Sequence, residues 1–166
     1  MTMEPARRLR PKMQNYGLST DEAGMLDWAW AEERLIASRN YWIVTATLAG
    51  QPHAAPVWGV WMEGALLFGV GKTSRKGRNL LANPRMVVHL ESGDDVVIVE
   101  GQAAPVHDKA LLQRMTPLYA AKYDFTPDTE TDPNNLYLRI VPQVVLAWRE
   151  QDFPSSATRF EFDPVT

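Results

Sequence analysis

Apolar positions along the chain change period at residue 41. Between Met25 and Ser38, the residues Met25, Leu26, Trp28, Ala29, Leu35 and Ile36 recur at a loose helical spacing. Ser19 and Glu22 stand at the capping-box interval, which predicts that the helix starts at Ser19. Trp28 and Trp30 cannot share one side of it, so one of them is expected against a partner surface or the N-terminal arm. From Tyr41 to Leu48 the chain is β-branched and aromatic, then Ala49-Gly50-Gln51 turns. His53 to Met62 reads as a second strand and Ala65 to Val70 as a third, joined at Glu63-Gly64 into an antiparallel meander. Pro52 and Pro56 lack ladder donors, which puts the second strand at an edge or gives it a bulge.

Ser74 can cap a short helix that Asn83-Pro84 must end, because the residue before proline avoids the α region. Arg85–Leu90 and Asp95–Val106 read as further strands, Asp108–Lys122 as a helix, 124–135 as an exposed loop, and Leu136–Trp148 as a last strand. Six or so strands with short turns and three helices predict a mainly β fold: a small antiparallel barrel with flanking helices. The elements do not alternate βαβα, which disfavours a parallel doubly wound sheet.

The 166 residues fit a single domain, expected over 19–166 behind a mobile N-terminal arm, 1–18. The first 20 residues carry basic side chains but no apolar core of a secretory signal, and no apolar run is long enough to span a membrane. A cytoplasmic location without membrane contact is the expectation. The absence of Cys removes disulfides, thiolate nucleophiles and Cys-ligated zinc or iron–sulfur clusters. A net charge of −3 argues against a dedicated nucleic-acid surface.

Candidate chemistry concentrates between Gly71 and Arg78. Lys72, Arg75, Lys76 and Arg78 gather at a predicted helix start, where free N–H groups and the helix dipole favour an anion. Basic side chains there oppose the dipole unless an anion is bound; the plain alternative is a solvated basic turn. Gly71-Lys72-Thr73 is not a P-loop, since Leu66 occupies the position of its first glycine, and Gly69-x-Gly71 followed by Ser74 is not a dinucleotide fingerprint. His53, His89 and His107 are too scattered for zinc, so no metal site is expected. Glu100, inside an apolar strand, is expected to face solvent. Trp58 and Trp61 point to opposite faces, one into the barrel and the other free to wall a flat ligand. No side chain stands out as a catalytic acid, base or nucleophile.

Gly50 to Trp58, Leu67-Phe68-Gly69-Val70, Thr73 to Arg85 and Val99-Glu100-Gly101, in this order and spacing, resemble the pyridoxamine 5′-phosphate oxidase-like flavin-binding split barrels. The most specific part is the run Ser74-Arg75-Lys76, Asn79-Leu80, Asn83-Pro84-Arg85. The resemblance implies a split β-barrel in which Ala55, Pro56, Val57 and Trp58 run along the isoalloxazine ring. Gly69 and Val70 then sit beside the flavin, and Arg75 and Lys76 hold its phosphate, with Lys72, Ser74, Arg78 and Asn79 around them. It also implies a homodimer with the cofactor at the interface, where Trp148 and Arg159 reach the neighbour's flavin.

Two departures bear on activity. Those oxidases carry an Arg-x-His element near the C-terminus, where this chain has Arg159-Phe160-Glu161, and they place an Arg where Ala55 stands. True pyridoxamine phosphate oxidation is therefore not expected. The resemblance points to short reductases that use coenzyme F420 or FMN to reduce a small planar or conjugated substrate by hydride transfer. The alternatives are a non-catalytic FMN-binding stress or carrier protein and a haem-binding split barrel with His53 as ligand.

Overall fold

The computed structural model describes residues 3–164. Its elements run β1 (Arg7–Leu9), α1 (Trp28–Ala37), β2 (Tyr41–Ala46), β3 (Pro52–Val57), β4 (Gly59–Met62), β5 (Ala65–Gly71), α2 (Arg75–Ala82), β6 (Arg85–His89), β7 (Asp95–Pro105), α3 (Lys109–Tyr123), β8 (Asn135–Arg149), α4 (Phe153–Ser156) and β9 (Thr158–Glu161). The strands form one sheet in the order β1-β9-β8-β7-β6-β2-β3, while β4 pairs with β5 and β5 with β8. All pairings are antiparallel. The ladder is therefore open between β3 and β4, so the barrel is split.

Strict alternation sets the two faces. In β2, Tyr41, Ile43 and Thr45 are buried while Trp42, Val44 and Ala46 face outward, partly exposed. Inside, Ile43, Leu66, Phe68, Val97, Ile140, Val145 and Phe160 form the main core, closed by Trp28 and Leu35 of α1. A second cluster packs Leu111, Met115 and Tyr119 of α3 onto Val60 and Leu67. Proline positions follow the edge rule: Pro52 and Pro56 lie on edge strand β3, and Pro142 adjoins the bulge where β7 slips against β8 between Glu100 and Gly101. Glu100 faces solvent, as alternation requires.

Four sequence expectations need correction. The helix does not start at Ser19 but at Trp28, with Asp27 as its N-cap residue. Ser19 gives its N–H to the Pro154 carbonyl at 2.9 Å, Asp21 closes a turn on Ala23 N–H at 3.0 Å, and Gly24 sits at φ +83°, so no helical turn can form there. The strand expected over His53–Met62 is two strands, broken at Trp58, so the meander is a pair of hairpins. The N-terminal arm is docked: Arg7–Leu9 pairs with Arg159–Glu161. Arg10 fastens it, donating to the carbonyls of Asp21 (2.9 Å), Ala23 (2.9 Å), Ser155 (2.5 Å) and Ala157 (3.0 Å). With β9 also unforeseen, the sheet has nine strands rather than about six.

Candidate functional site

The basic segment folds as the sequence implied. Ser74 caps α2, its hydroxyl oxygen accepting the Gly77 N–H at 3.1 Å and its proton going to the Gly71 carbonyl at 2.7 Å. Gly77 is required by close approach: a Cβ there would stand 2.2 Å from the Gly71 carbonyl oxygen and 3.0 Å from that of Lys72. The loop 71–74 therefore lies directly on the first turn of the helix. Since Gly77 bonds the cap and Arg78 N–H bonds the Ser74 carbonyl at 2.9 Å, the N–H groups of Arg75 and Lys76 have no acceptor within the helix. The first turn holds no acidic residue.

The four cations of this segment separate into two kinds. Lys72 donates its ammonium to the Pro133 carbonyl at 2.6 Å, and the Arg78 guanidinium bonds the Thr73 carbonyl, so both brace the loop. Arg75 and Lys76 make no side-chain hydrogen bond or ion pair among the described residues. Asn79 is buried, 5% exposed, and its side chain donates to Thr45 Oγ1 at 3.0 Å, pinning α2 to β2. Two cations and two backbone amides remain unclaimed at one helix end.

Along the open edge, the side chains of Val57 and Val70 are in the core, leaving only their backbone to face a ligand. Ala55 is partly exposed on β3 beside exposed Pro56. Gly69 lies opposite Tyr137, whose ring a Cβ would meet at 3.2 Å. Trp61 is buried, only 5% exposed, whereas Trp58 is 41% exposed and stacks on Tyr123 with ring centroids 4.6 Å apart. The structure thus brings residues 55–58, 69–71 and 74–79 around the split. Trp148 and Arg159 lie apart from them, on the outer face of the sheet at its β8–β9 end, where Arg159 pairs with Leu146. Trp148 Nε1 donates to Glu150 at 3.1 Å, and Arg159 Nε to Glu161 at 2.8 Å. His53, on β3, is partly buried.

Sequence reasoning missed the group that closes the split from behind. Tyr123 Oη accepts the Gly59 N–H at 2.9 Å and lies 2.6 Å from the Arg39 carbonyl. Lys122 Nζ donates to the Gly59 carbonyl at 3.0 Å and to Tyr41 Oη at 2.9 Å. Burial, with Arg39 adding repulsion, lowers the Lys122 ammonium to about 8, and burial raises Tyr119 to about 12 and Tyr41 further. These partners are about 60–80 residues apart along the chain, as the numbering in these bonds shows, and no local pattern announces them. Among the described residues, no group of three or more His, Asp or Glu could hold a metal ion. No described helix is long and apolar enough to cross a membrane.

An incompletely closed antiparallel barrel with a basic, capped helix beside its open edge defines the split-barrel class. A family model, pyridoxamine 5′-phosphate oxidase, matches residues 30–149, and the chain belongs to that family. No functionally curated protein matches the sequence. Among solved structures, the conserved protein Rv2991 of Mycobacterium tuberculosis is similar at 24% identity and TM-score 0.65, over 80% of this chain and 89% of that one. A protein described as an F420 reductase is similar at 21% identity and TM-score 0.51, over 68% and 94%. HutZ, the haem storage protein of Vibrio cholerae, is similar at 14% identity and TM-score 0.56, over 67% and 86%. At these identities the three structures share the fold with this chain.

Proposed function

We propose that this protein is a flavin-type oxidoreductase that holds coenzyme F420, or FMN, and reduces a small planar or conjugated substrate by hydride transfer. The observation that carries this reading is the start of α2, where Arg75, Lys76 and two N–H groups without a helical acceptor face no acidic residue. These donors fit a cofactor phosphate: charge-assisted bonds from both cations and the helix dipole act on one anion. When bound, the cofactor supplies the hydride. The chain's own residues bind and orient it: Ser74 and Gly77 fix the amides, Lys72 and Arg78 hold the loop, and the unpaired edge of β3 offers backbone groups to a flat ring.

A homodimer completes the site in this proposal. The outer face of the sheet presents Trp42, Val44, Val87, Ile98, Val144 and Leu146 across four neighbouring strands, all partly exposed. A second copy laid on this face would cover it and would carry its Trp148 and Arg159 toward the first copy's cofactor. Val144→Glu is expected to give a monomer by analytical ultracentrifugation with weakened cofactor affinity.

The deciding experiment titrates the protein in parallel with F420, FMN and haem. Tight F420 binding, lost by about 1.5–3 kcal/mol in Lys76→Ala, is the expected result. Tight FMN binding without turnover would make the protein a flavin carrier. A Soret band abolished in His53→Ala, with no flavin or deazaflavin binding, would replace this reading with haem binding.

A further inference from the structure

An apolar groove runs between α1 and α3, a cavity of about 350 Å³ with Val60 and Trp61 of β4 in its lining. Ile36 and Leu118 flank it, 56% and 49% exposed, so it is open to solvent. Among the described residues, the one ionisable side chain in its wall is Lys122. The groove shares no residue with the proposed phosphate shelf at α2. Lys122 Nζ spends two protons, on the Gly59 carbonyl at 3.0 Å and on Tyr41 Oη at 2.9 Å. Loss of the third leaves a neutral amine whose two N–H groups keep both acceptors and whose lone pair is free. No carboxylate opposes that loss: Glu32 of α1 accepts Trp61 Nε1 at 3.3 Å, and no acidic group acts on Lys122. Arg39 repels a second cation beside it. The rings of Tyr41 and Tyr123, at 4.6 and 5.4 Å, carry hydroxyls that burial keeps protonated and uncharged. With the ammonium lowered to about 8, about one amine in ten is neutral at pH 7, against about one in three thousand for an unperturbed lysine.

We propose that Lys122 captures aldehydes: an apolar aldehyde seats its body in the groove between α1 and α3 and forms an imine with Lys122 Nζ. The nitrogen lone pair adds to the carbonyl carbon and the C=O π pair moves to oxygen. The resulting carbinolamine expels that oxygen as water, with the two protons the amine carried, so no oxidant or reductant enters. The imine nitrogen carries no proton and its protonated form one, so capture frees at least one of Gly59 and Tyr41 from its bond to α3. The reading does not depend on what the α2 shelf holds. Its test treats the full chain at pH 7 with 2-naphthaldehyde, traps imines with cyanoborohydride and maps the labelled lysines by tryptic mass spectrometry. Lys122 is expected to be labelled at least about tenfold faster than Lys12, Lys72, Lys76 or Lys109. Leu118→Gln, on the exposed flank of the groove, should slow naphthaldehyde about fivefold and leave acetaldehyde, which has almost no body to seat, unchanged. Label spread evenly over the lysines, or a faster reaction at any lysine but Lys122, would overturn the assignment. That result is read on the wild-type chain, so it does not hang on a variant's folding. In Leu118→Gln, equal rates for wild type and variant, or equal slowing of both aldehydes, would overturn the groove as the seat.

Discussion

Gly77→Ala probes the proposed phosphate shelf without touching a charge. The added Cβ would lie 2.2 Å from the Gly71 carbonyl oxygen and 3.1 Å from the Gly71 carbonyl carbon, backbone atoms that cannot rotate away. An ordinary carbon–oxygen contact needs about 3.2–3.5 Å, so helix and loop must part by roughly 1 Å. That separation breaks the Gly77 N–H bond to Ser74 Oγ and the Ser74 bond to Gly71. Loss of the cap costs about 1 kcal/mol and relief of the overlap about 1–3 kcal/mol, for a total of about 2–4 kcal/mol. For a chain of this size that lowers Tm by at least about 4 °C. The amides of residues 75 and 76 shift with the helix, so cofactor affinity should drop by about tenfold or more. Gly93→Ala is the matched control, because a Cβ there meets nothing within 4 Å. Thermal denaturation and cofactor titration of both variants give the answer. A Gly77→Ala protein that melts and binds like Gly93→Ala would refute the claim that close packing of loop on helix builds the shelf.

Asn79→Ala removes the buried partner of Thr45, and should destabilise by about 1–3 kcal/mol in urea denaturation; a change below about 0.5 kcal/mol would contradict a pinning role. Lys122, with its ammonium lowered to about 8, binds fewer protons folded than unfolded between that pH and its usual 10.5, so stability should rise with pH across this window. Above about pH 10 the raised tyrosines Tyr41, Tyr119 and Tyr123 reverse the slope, because the unfolded chain then loses protons first. Lys122 is only partly buried, so water screens its charge and the gain is on the order of 1 kcal/mol, and Lys122→Met should flatten it. Arg10→Ala should release β1 and speed trypsin cleavage after Arg7 or Arg8 by about tenfold, read by mass spectrometry, with little change in global unfolding. Cleavage at the wild-type rate would mean that the strand pairing alone holds the arm.

The legible parts of the chain were those decided by neighbours in sequence. Alternation placed β2, β5, β7 and β8 within a residue or two, and the edge character of β3 followed from two prolines that cannot donate. The shelf at α2 was legible for the same reason: the cap, the helix stop at Asn83-Pro84 and the run of cations all lie within a dozen residues. The errors are non-local. Ser19 and Glu22 have the spacing of a capping box, yet Asp21 and Gly24 favour turns and the Ser19 N–H is taken by Pro154, far along the chain. The arm carries no strand pattern of its own, and it becomes β1 only because β9 presents an edge and Arg10 finds four carbonyls.

The break at Trp58 shows why the site itself straddles these two kinds of information. Read along the chain, His53 to Met62 is one largely apolar run in which only Pro56 and Gly59 offer a local break. The division is made by what each half meets: β3 pairs with β2, while β4 turns away to lie on β5 so closely that a Cβ on Gly59 would stand 2.8 Å from the Leu67 carbonyl oxygen. Tyr123 and Lys122 then satisfy the Gly59 N–H and carbonyl that the abandoned ladder would have paired. Those side-chain bonds let the barrel stay open at modest cost, because backbone groups buried without partners would otherwise draw β3 and β4 together. The open edge of β3 beside the basic shelf of α2 is therefore a product of α3, which sequence reasoning treated only as a flanking helix. Cations and cap residues mark the proposed anion site; Lys122 and Tyr123, far along the chain on α3, hold open the slot beside it.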